Sequence, residues 1–149
     1  MVNQKTSQVL YVEDDELVRR AGVQSLQLAG FRASGFASAE TALPSIDAEF
    51  AGVVVSDIRL PGASGLDLLA QCRERAPDLP VILVTGHGDI SMAVQAMRDG
   101  AYDFIEKPFA SDRLIETVRR ALERRTLLLE NLALRRVRVA APRTSAADA

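Results

Sequence analysis

Short apolar runs rich in β-branched residues recur along the chain, and no other feature constrains its fold as strongly. Three are pronounced, at residues 9–12, 53–55 and 81–84; a shorter run covers Phe104 and Ile105, and a weaker one covers residues 31–36. Runs that are hydrophobic on successive residues are typical of strands buried on both faces of a parallel sheet. We therefore predict four such strands, with the weaker segment as a fifth strand at one edge.

Helical patterns separate these runs. Residues 16–29 form one predicted helix, and Gly30 follows as a stop signal. The residues expected near its apolar stripe are Leu17, Ala21, Leu26, Leu28 and Ala29. Strand and helix thus alternate five times, which is typical of a doubly wound α/β sheet. The residues expected to cap the later helices at their N-termini are Ser38, Ser64, Asp89, and Ser111 or Asp112.

Composition fits one globular domain with a short extension. The 149 residues are 48% hydrophobic and 26% charged, which supplies enough apolar side chains for a core. Cys72 is the single cysteine, so no disulfide can form within one chain. The first residues lack the apolar core of a signal peptide, and no later apolar run reaches the roughly 20 residues of a membrane span. We expect a cytoplasmic protein without a membrane contact.

Charge is distributed unevenly. Residues 1–112 hold 16 acidic and 9 basic residues, a net charge of −7, whereas residues 113–149 hold 4 acidic residues and 9 arginines, a net charge of +5. An arginine-rich segment can bind nucleic acid. Because these arginines lie among glutamates on a strongly periodic helix, we interpret them as a solvated helix surface that makes no direct contact with nucleic acid.

The last helical pattern continues past the point where a small domain needs it to end. A 3–4 spacing runs from Ile115 through Leu129 to Val139, and Arg125 and Arg136 interrupt the same stripe. The pattern resembles a short coiled coil. A helix of about 25 residues spans roughly 38 Å, more than a small sheet can cover, so we predict a partner chain. The expected division is a globular domain (1–124), a coiled-coil linker helix (125–140) and a flexible tail (141–149).

Polar side chains follow the predicted strands at their carboxyl ends. Asp14 and Asp15 come after the first strand, Asp57 after the third, Thr85 after the fourth and Lys107 after the fifth. In an open α/β sheet these ends share one edge, where ligands bind. Clustered carboxylates raise one another's pKa unless a cation lies among them, and their oxygens suit Mg²⁺. Such a metal neutralises charge on a phosphoryl group, and a carboxylate can accept that group.

The same residues in this order resemble the receiver domains of two-component response regulators, over about residues 6–124. The resemblance implies a five-stranded, flavodoxin-like parallel sheet in the order 2-1-3-4-5. It implies that Asp57 accepts a phosphoryl group from a phosphohistidine on a sensor histidine kinase. It also implies that Asp15 and Asp57 bind Mg²⁺ directly and Asp14 mainly through water, with the main-chain carbonyl of Arg59 as a further ligand.

The resemblance also assigns residues that respond to phosphorylation. Thr85 would be the hydroxyl that turns toward the phosphoryl group, and Lys107 the cation that contacts its oxygens. Phe104, three residues before Lys107, would be the ring that becomes buried. The Lys107–Pro108 peptide is usually cis in this family. His87 is interpreted as a loop residue beside the site. Such a domain is not an enzyme in its own right, since it catalyses only its own phosphorylation and dephosphorylation.

Two segments narrow the resemblance. Residues 85–89 and 103–109 are similar to receivers of the nitrogen-regulation type, which control sigma-54-dependent AAA+ transcription activators, and within that type to regulators of C4-dicarboxylate transport in rhizobia. Residues 127–132 are similar to the linker that joins such receivers to the AAA+ ATPase. The implied partners are a sensor kinase, a downstream AAA+ domain, and a second copy bound through the fourth helix, fifth strand, fifth helix and linker helix. Phosphorylation would switch the arrangement of that dimer.

Other functions are compatible with parts of the pattern. The receiver could control a helix-turn-helix output instead of an AAA+ ATPase. The carboxylates with Mg²⁺ could form a hydrolase that passes external phosphoesters through an aspartyl phosphate. Such hydrolases use an Asp-x-Asp pair, whereas Asp57 is followed by Ile58 and Arg59, which argues against this class. An interaction module that works without phosphorylation is a further alternative, and the complete set of signature residues argues against it.

Overall fold

The computed structural model describes residues 8–86 and 88–140, and the side chains of these residues up to position 137. Within this part of the chain, five strands alternate with five helices. They are β1 (Gln8–Val12), α1 (Glu16–Leu28), β2 (Arg32–Phe36), α2 (Ala39–Ala42, followed by a 3₁₀ turn at Leu43–Ser45), β3 (Gly52–Asp57), α3 (Gly65–Arg75), β4 (Val81–Thr85), α4 (Ile90–Arg98), β5 (Asp103–Glu106) and α5 (Ser111–Ala140). The predicted tail at residues 141–149 lies outside the described residues.

The described strands form one parallel sheet in the order β2-β1-β3-β4-β5, which confirms the predicted fold class and strand order. β1 lies between β2 and β3, with Leu10 opposite Ser34 on one side and Val54 on the other. Every residue of β3 and β4 is buried, as expected for strands covered on both faces. β2 is partly exposed and forms the edge, as its weaker pattern predicts.

Two apolar layers pack the sheet between its helices. Successive residues of a strand point to opposite faces, and so Val53 and Val54 belong to different layers. Val53 packs in the layer that contains Leu26 of α1 and Leu114 of α5. Val54 packs in the layer contributed by α2, α3 and α4. Each fully buried aliphatic side chain contributes about 1.5–3 kcal/mol, so the fold is stabilised on both sides of the sheet.

The buried face of α1 differs from the predicted one. Leu26 is fully buried, whereas Leu17 and Leu28 are 78% and 82% exposed. At about 100° per residue, positions nine and two residues from Leu26 lie on the opposite side of the helix. The predicted stripe was therefore wrong for Leu17 and Leu28, whereas Leu26 and the half-buried Ala29 do face the core, together with Val23.

Helix α5 is continuous over 30 residues, about 45 Å at 1.5 Å per residue. Its first half packs on the sheet through Leu114, Val118 and Leu122. Arg125, the first residue of the predicted linker segment, is also buried. The predicted coiled-coil stripe thus faces the chain's own sheet as far as Arg125. Strongly exposed apolar residues of α5 lie instead on its outer side, at Leu127, Leu134 and Val137.

Candidate functional site

The carboxyl ends of the parallel strands bring the predicted polar residues to one edge of the sheet. Asp57 is the last residue of β3 and Thr85 the last of β4, and β3 and β4 are neighbours. Lys107 follows β5, and its backbone N–H donates to the carbonyl oxygen of Thr85 at 2.8 Å. The Lys107–Pro108 peptide is cis, as the resemblance implied. The strand order therefore gathers the acid, hydroxyl and ammonium that the sequence separates.

Asp57 is 9% exposed and each of its carboxylate oxygens has a partner. Oδ2 accepts a hydrogen bond from Lys107 Nζ at 2.7 Å, and Oδ1 accepts one from the backbone N–H of Arg59 at 3.1 Å. Gly65 opens α3 beside it. A Cβ at Gly65 would meet the Asp57 carbonyl oxygen and lie 2.8 Å from the Cα of Ile58. A glycine is needed here because the start of α3 packs directly against the end of β3.

Lys107 joins two acids. Its Nζ donates to Glu13 Oε1 at 2.9 Å as well as to Asp57. Burial alone would lower the pKa of Lys107, but the hydrogen bonds to Asp57 and Glu13 outweigh it and raise that pKa above its usual value. Lys107 is therefore fully protonated at neutral pH and supplies a fixed positive charge to the site.

Glu13 is a site residue that the sequence analysis left out of the metal-binding and phosphoryl-binding sets. It follows β1 directly, and it is 4% exposed. Burial raises the pKa of its carboxyl, while the hydrogen bonds from Lys107 and from the backbone N–H of Asp15 oppose that rise. The sequence could have identified Glu13 by its position, because it is the first residue after the first strand and so lies at the edge where ligands bind.

Thr85 carries an unpaired hydroxyl. The residue is fully buried, and its Oγ1 is the single buried side-chain nitrogen or oxygen without a hydrogen-bond partner among the described residues. A buried hydroxyl left unpaired costs roughly 1–3 kcal/mol. Native structures leave few such groups, and those that persist call for a functional explanation.

The chain matches a known family of proteins. The profile of the response regulator receiver domain family matches residues 9–119, three quarters of the chain. The chain belongs to the response regulator receiver family. The order of its strands is the order of the receiver fold.

Relatives of this receiver are longer proteins. The chain is 58% identical over 133 residues to the C4-dicarboxylate transport transcriptional regulatory protein DctD of Rhizobium meliloti, covering 89% of the chain and 29% of that protein. It is 54% identical over 129 residues to the protein of the same name from Pseudomonas aeruginosa, covering 87% of the chain and 28% of that protein. The chain thus spans less than a third of the length of either relative.

Solved structures share the receiver's fold. A crystal structure of NtrX from Brucella abortus in complex with ATP matches with a TM-score of 0.77 and 40% identity, over 87% of the chain and 30% of that protein. A response regulator receiver domain protein from Clostridium thermocellum matches with a TM-score of 0.78 and 27% identity, over 82% of the chain and 98% of that protein. No described helix of the receiver is long and apolar enough to cross a membrane.

Asp15, predicted to bind Mg²⁺ directly, uses its side chain to cap a helix in this receiver. Its Oδ1 accepts hydrogen bonds from the backbone N–H groups of Leu17 at 3.0 Å and Val18 at 3.1 Å. Asp15 is therefore the N-cap of α1. The side chain that turns to Lys107 from this segment is Glu13, two positions earlier. The hydrogen bonds to Oδ1 weigh against the predicted direct coordination of Mg²⁺ by Asp15, which stays a prediction.

The oxygen donors present still fit a hard cation. Among the described residues, no three Cys, His, Asp or Glu side chains are gathered into a set that could hold a metal ion. Mg²⁺ does not require one, since it commonly takes one or two carboxylates and completes its octahedron with waters and phosphate oxygens. Asp57 at the end of β3, the exposed Asp14 and the main-chain carbonyl of Arg59 are donors of this type.

The predicted switch ring lies at the edge of the core. Phe104 in β5 is half-buried and packs against the layer formed by α2, α3 and α4. It pairs with Leu83 of β4, two residues before Thr85. A half-buried ring has room to become more buried, which is what the resemblance implied. His87 lies outside the described residues.

Arg59 and Asp89 form an ion pair that the sequence analysis missed. Arg59 Nε lies 2.9 Å from Asp89 Oδ2, and Arg59 Nη2 lies 2.6 Å from Asp89 Oδ1. The hydrogen bond from Arg59 holds the pKa of the Asp89 carboxyl below its usual value. Asp89 was predicted to cap α4. It occupies the N-cap position, but its side chain makes no capping hydrogen bond, because its carboxylate is turned to Arg59.

Proposed function

We propose that the chain is the phosphoaccepting receiver of a sensor-kinase pathway and that Asp57 carries the phosphoryl group. The observation that supports this most strongly is the Asp57–Lys107 ion pair at the end of β3, with the hydroxyl of Thr85, at the end of the neighbouring strand, unpaired among the described residues. Together they supply a nucleophilic carboxylate, a cation for phosphoryl oxygens and a donor with a free hydrogen bond. No observation favours a hydrolase that acts on external phosphoesters.

In the proposed transfer, a carboxylate oxygen of Asp57 attacks the phosphorus of a kinase phosphohistidine. The P–N bond breaks, its electron pair stays with the imidazole, and Asp57 becomes a mixed anhydride with phosphate. Lys107 is already 2.7 Å from Oδ2, so its charge is in place for the new phosphoryl oxygens. Positioning and charge neutralisation of this type are the main contributions a protein makes to phosphoryl transfer.

Thr85 is proposed to donate a hydrogen bond to the phosphoryl group and to change position when it does so. Its hydroxyl has no described partner, so a hydrogen bond to a phosphoryl oxygen would be gained without breaking another. The inward movement of Thr85 would leave space on the side of Phe104, which belongs to the adjacent strand. Such a coupling requires that the phosphoryl group interact better with one of two arrangements.

Mg²⁺ is the proposed cofactor, held by Asp57, Asp14 and the carbonyl oxygen of Arg59. When bound, it neutralises the charge of carboxylates and phosphoryl oxygens. Glu13 is proposed to hold Lys107 in position, since its Oε1 is 2.9 Å from Nζ. Asp15 is assigned to the cap of α1 and not to the metal.

We further propose that a second copy and an output domain respond to this switch. α4 exposes apolar side chains at Ile90 and Val94, and the outer side of α5 exposes Leu127 and Leu134, seven residues apart. Spacing of this type is what a coiled-coil seam requires. The similarity to DctD and NtrX supports a sigma-54-dependent AAA+ activator as the output controlled by the dimer, in a cytoplasmic setting.

The primary test uses Mg²⁺ and beryllofluoride, which mimics the aspartyl phosphate. We expect wild-type protein to bind the mimic with Mg²⁺ and to change its mass or hydrodynamic radius in light scattering. Asp57→Asn should show neither effect, because its side chain is no longer a carboxylate. Binding of the mimic by Asp57→Asn would overturn the proposed acceptor. Binding by wild type without a change in size would retain the chemistry and overturn the dimer switch.

A matched pair of variants tests the metal assignment. Asp14→Asn should weaken Mg²⁺ binding by about tenfold or more, because a carboxylate ligand loses its charge. Asp15→Asn should leave the affinity within about threefold, since asparagine caps a helix as well as aspartate does. Isothermal titration calorimetry with MgCl₂ measures both. The opposite order would return Asp15 to the metal site.

A further inference from the structure

Asp89 stands at the N-cap position of α4 but does not cap the helix. Asp15, Ser38 and Ser64 each use a side-chain oxygen to accept from the first turn of the helix that follows. Asp89 holds the same position before α4 and makes no such bond. Its carboxylate is almost completely buried, with 2% of the side chain exposed, and faces the guanidinium of Arg59. The first turn of α4 therefore lacks a cap while a capable residue stands beside it.

Arg59 links this acid to the phosphorylation site. Its backbone N–H donates to Asp57 Oδ1 at 3.1 Å, so its side chain starts two residues from the acceptor. The side chain is 73% exposed although its head is paired, so nothing encloses it and it is free to change partners. The negative charge of Asp57 also contributes to raising the pKa of Arg59, after the hydrogen bond and charge of Asp89. Arg59 therefore interacts electrostatically with both Asp89 and Asp57.

A phosphoryl group at Asp57 would change the competition for this guanidinium. It adds further negative charge and three acceptor oxygens close to the backbone of Arg59. Arginine binds phosphate oxygens in the same forked geometry that it uses with a carboxylate. Asp89, once released, has the unpaired N–H groups of the first turn of α4 as alternative donors. Neither acid is left without a partner after such an exchange.

We propose that Arg59 exchanges Asp89 for a phosphoryl oxygen when Asp57 is phosphorylated, and that the released Asp89 then caps α4. This inference rests on the proposed function of Asp57. Arg59 becomes a side-chain ligand of the phosphoryl group, and Asp89 its competitor. The backbone N–H of Asp89 donates to the carbonyl oxygen of Gly86 at 3.3 Å, and Gly86 follows Thr85 directly, so the exchange takes place beside the threonine hydroxyl that the same event engages.

Two single substitutions give opposite predictions. Asp89→Asn removes the competing charge and keeps a side chain that caps helices, so beryllofluoride affinity in Mg²⁺ should rise by about two- to fivefold, the range expected for an ion pair with an exposed partner. Arg59→Gln removes the phosphoryl ligand, so the affinity should fall by a similar factor. Asp99→Asn, at the exposed C-terminal end of the same helix, removes the same charge and should leave the affinity unchanged.

The backbone amide of Met92, at the third position of α4, supplies a second measurement by NMR. In Asp89→Asn and in Arg59→Gln without the mimic, its chemical shift should move toward the value of wild type with beryllofluoride, because the cap forms in each case. If both variants change affinity in the same direction, or the Met92 shift does not move, the exchange is wrong. Failure of wild type to bind the mimic would instead refute the role of Asp57, so the two failures are distinguishable.

Discussion

The two ends of the sheet treat buried charge in different ways. At the carboxyl edge, Lys107 is held by two acids and Arg59 by one, and the hydroxyl of Thr85 has no partner in the described part of the chain. At the amino edge, Arg125 of α5 is 3% exposed. Its guanidinium donates to the backbone carbonyl oxygens of Phe50 at 3.1 Å and Ala48 at 2.9 Å. The cations of the carboxyl edge are neutralised by acidic side chains, whereas the cation of the amino edge donates its hydrogen bonds to backbone carbonyl oxygens.

The two edges differ in whether their charged groups can exchange one hydrogen-bond partner for another. An acidic side chain can rotate away from its cation, and a phosphoryl group can replace it. The carbonyls of Ala48 and Phe50 belong to the segment that leads into β3, and they cannot leave without moving the backbone. Burial lowers the pKa of Arg125, against the opposing charges of Asp78 and Asp47. The ion pairs of the carboxyl edge can therefore exchange by side-chain rotation, whereas the hydrogen bonds of Arg125 at the amino edge cannot be broken without moving the backbone.

The largest effect on stability is expected from breaking the amino edge. Arg125→Met keeps an unbranched apolar stem but leaves two carbonyl oxygens without their donor. We expect a loss of about 2 kcal/mol in the free energy of unfolding, measured by urea denaturation. Arg135→Met, at an exposed position of the same helix, is the matched control and should cost less than about 0.5 kcal/mol. Equal losses in the two variants would remove the distinction between the edges.

A smaller and pH-dependent loss is expected from Lys107→Met at the carboxyl edge. Glu13 would be left buried without its cation and Asp57 would lose the same partner, at a combined cost of about 1.5 kcal/mol at pH 7. Burial already raises the pKa of Glu13 above 4.5, and loss of Lys107 raises it further. The native state then binds a proton more tightly than the unfolded state, so stability increases as the pH falls through the raised native pKa toward 4.5.

The measurement for Lys107→Met is therefore a series of urea denaturations from pH 7 down to about pH 5. The difference in unfolding free energy between wild type and variant should shrink steadily over that range. A constant difference would mean that Glu13 is not the group left unpaired.

The smallest effect on stability is expected at Thr85, where the hydroxyl contributes nothing to the described fold. Thr85→Val should leave the free energy of unfolding unchanged or raise it by up to about 1 kcal/mol. Ser56→Ala, one strand away, is the contrasting control: its buried hydroxyl donates to the Asp57 carbonyl at 2.9 Å, so it should cost about 0.5–1 kcal/mol. A loss above about 1 kcal/mol for Thr85→Val would show that the hydroxyl has a structural partner.

The sequence predicted the sheet well because its evidence is local and repeated. The apolar runs of β3 and β4 are continuous, and such runs suit strands that are covered on both faces. The positions of Asp57, Thr85 and Lys107 follow once the strand ends are known, since parallel strands share one edge. The edge strand β2 was also predicted, since its weaker pattern matches its partial exposure.

Sequence analysis was least accurate where a shift of one residue changes the role or the facing of a side chain. The strand ends at Val12 and the helix starts at Glu16, so Asp15 caps α1 and Glu13, which the predicted set left out, contacts Lys107. The face of α1 was misjudged for a similar reason, since residues a half turn apart were grouped together. These assignments depend on helix phase, which apolar spacing determines only loosely.

Contacts between distant residues were beyond prediction from one sequence. Arg59 and Asp89 are 30 residues apart, and Arg125 and Phe50 are 75 apart. Nothing in the local pattern distinguishes a paired arginine from a solvated one. Arg125 was therefore interpreted as an interruption of a coiled-coil seam, although it is held within the chain's own fold.

The buried Arg125 gives the remainder of α5 a fixed angular phase. Every residue beyond it points in a direction set by its distance along the helix from that anchor, with about 100° for each position. A protein fused in continuous helix to this receiver would therefore rotate by about 100° for each residue added, and seven added residues would bring it back to within about 20° of the starting direction. The direction of whatever follows α5 is thus set at the amino edge of the sheet, at the opposite end of β3 from Asp57.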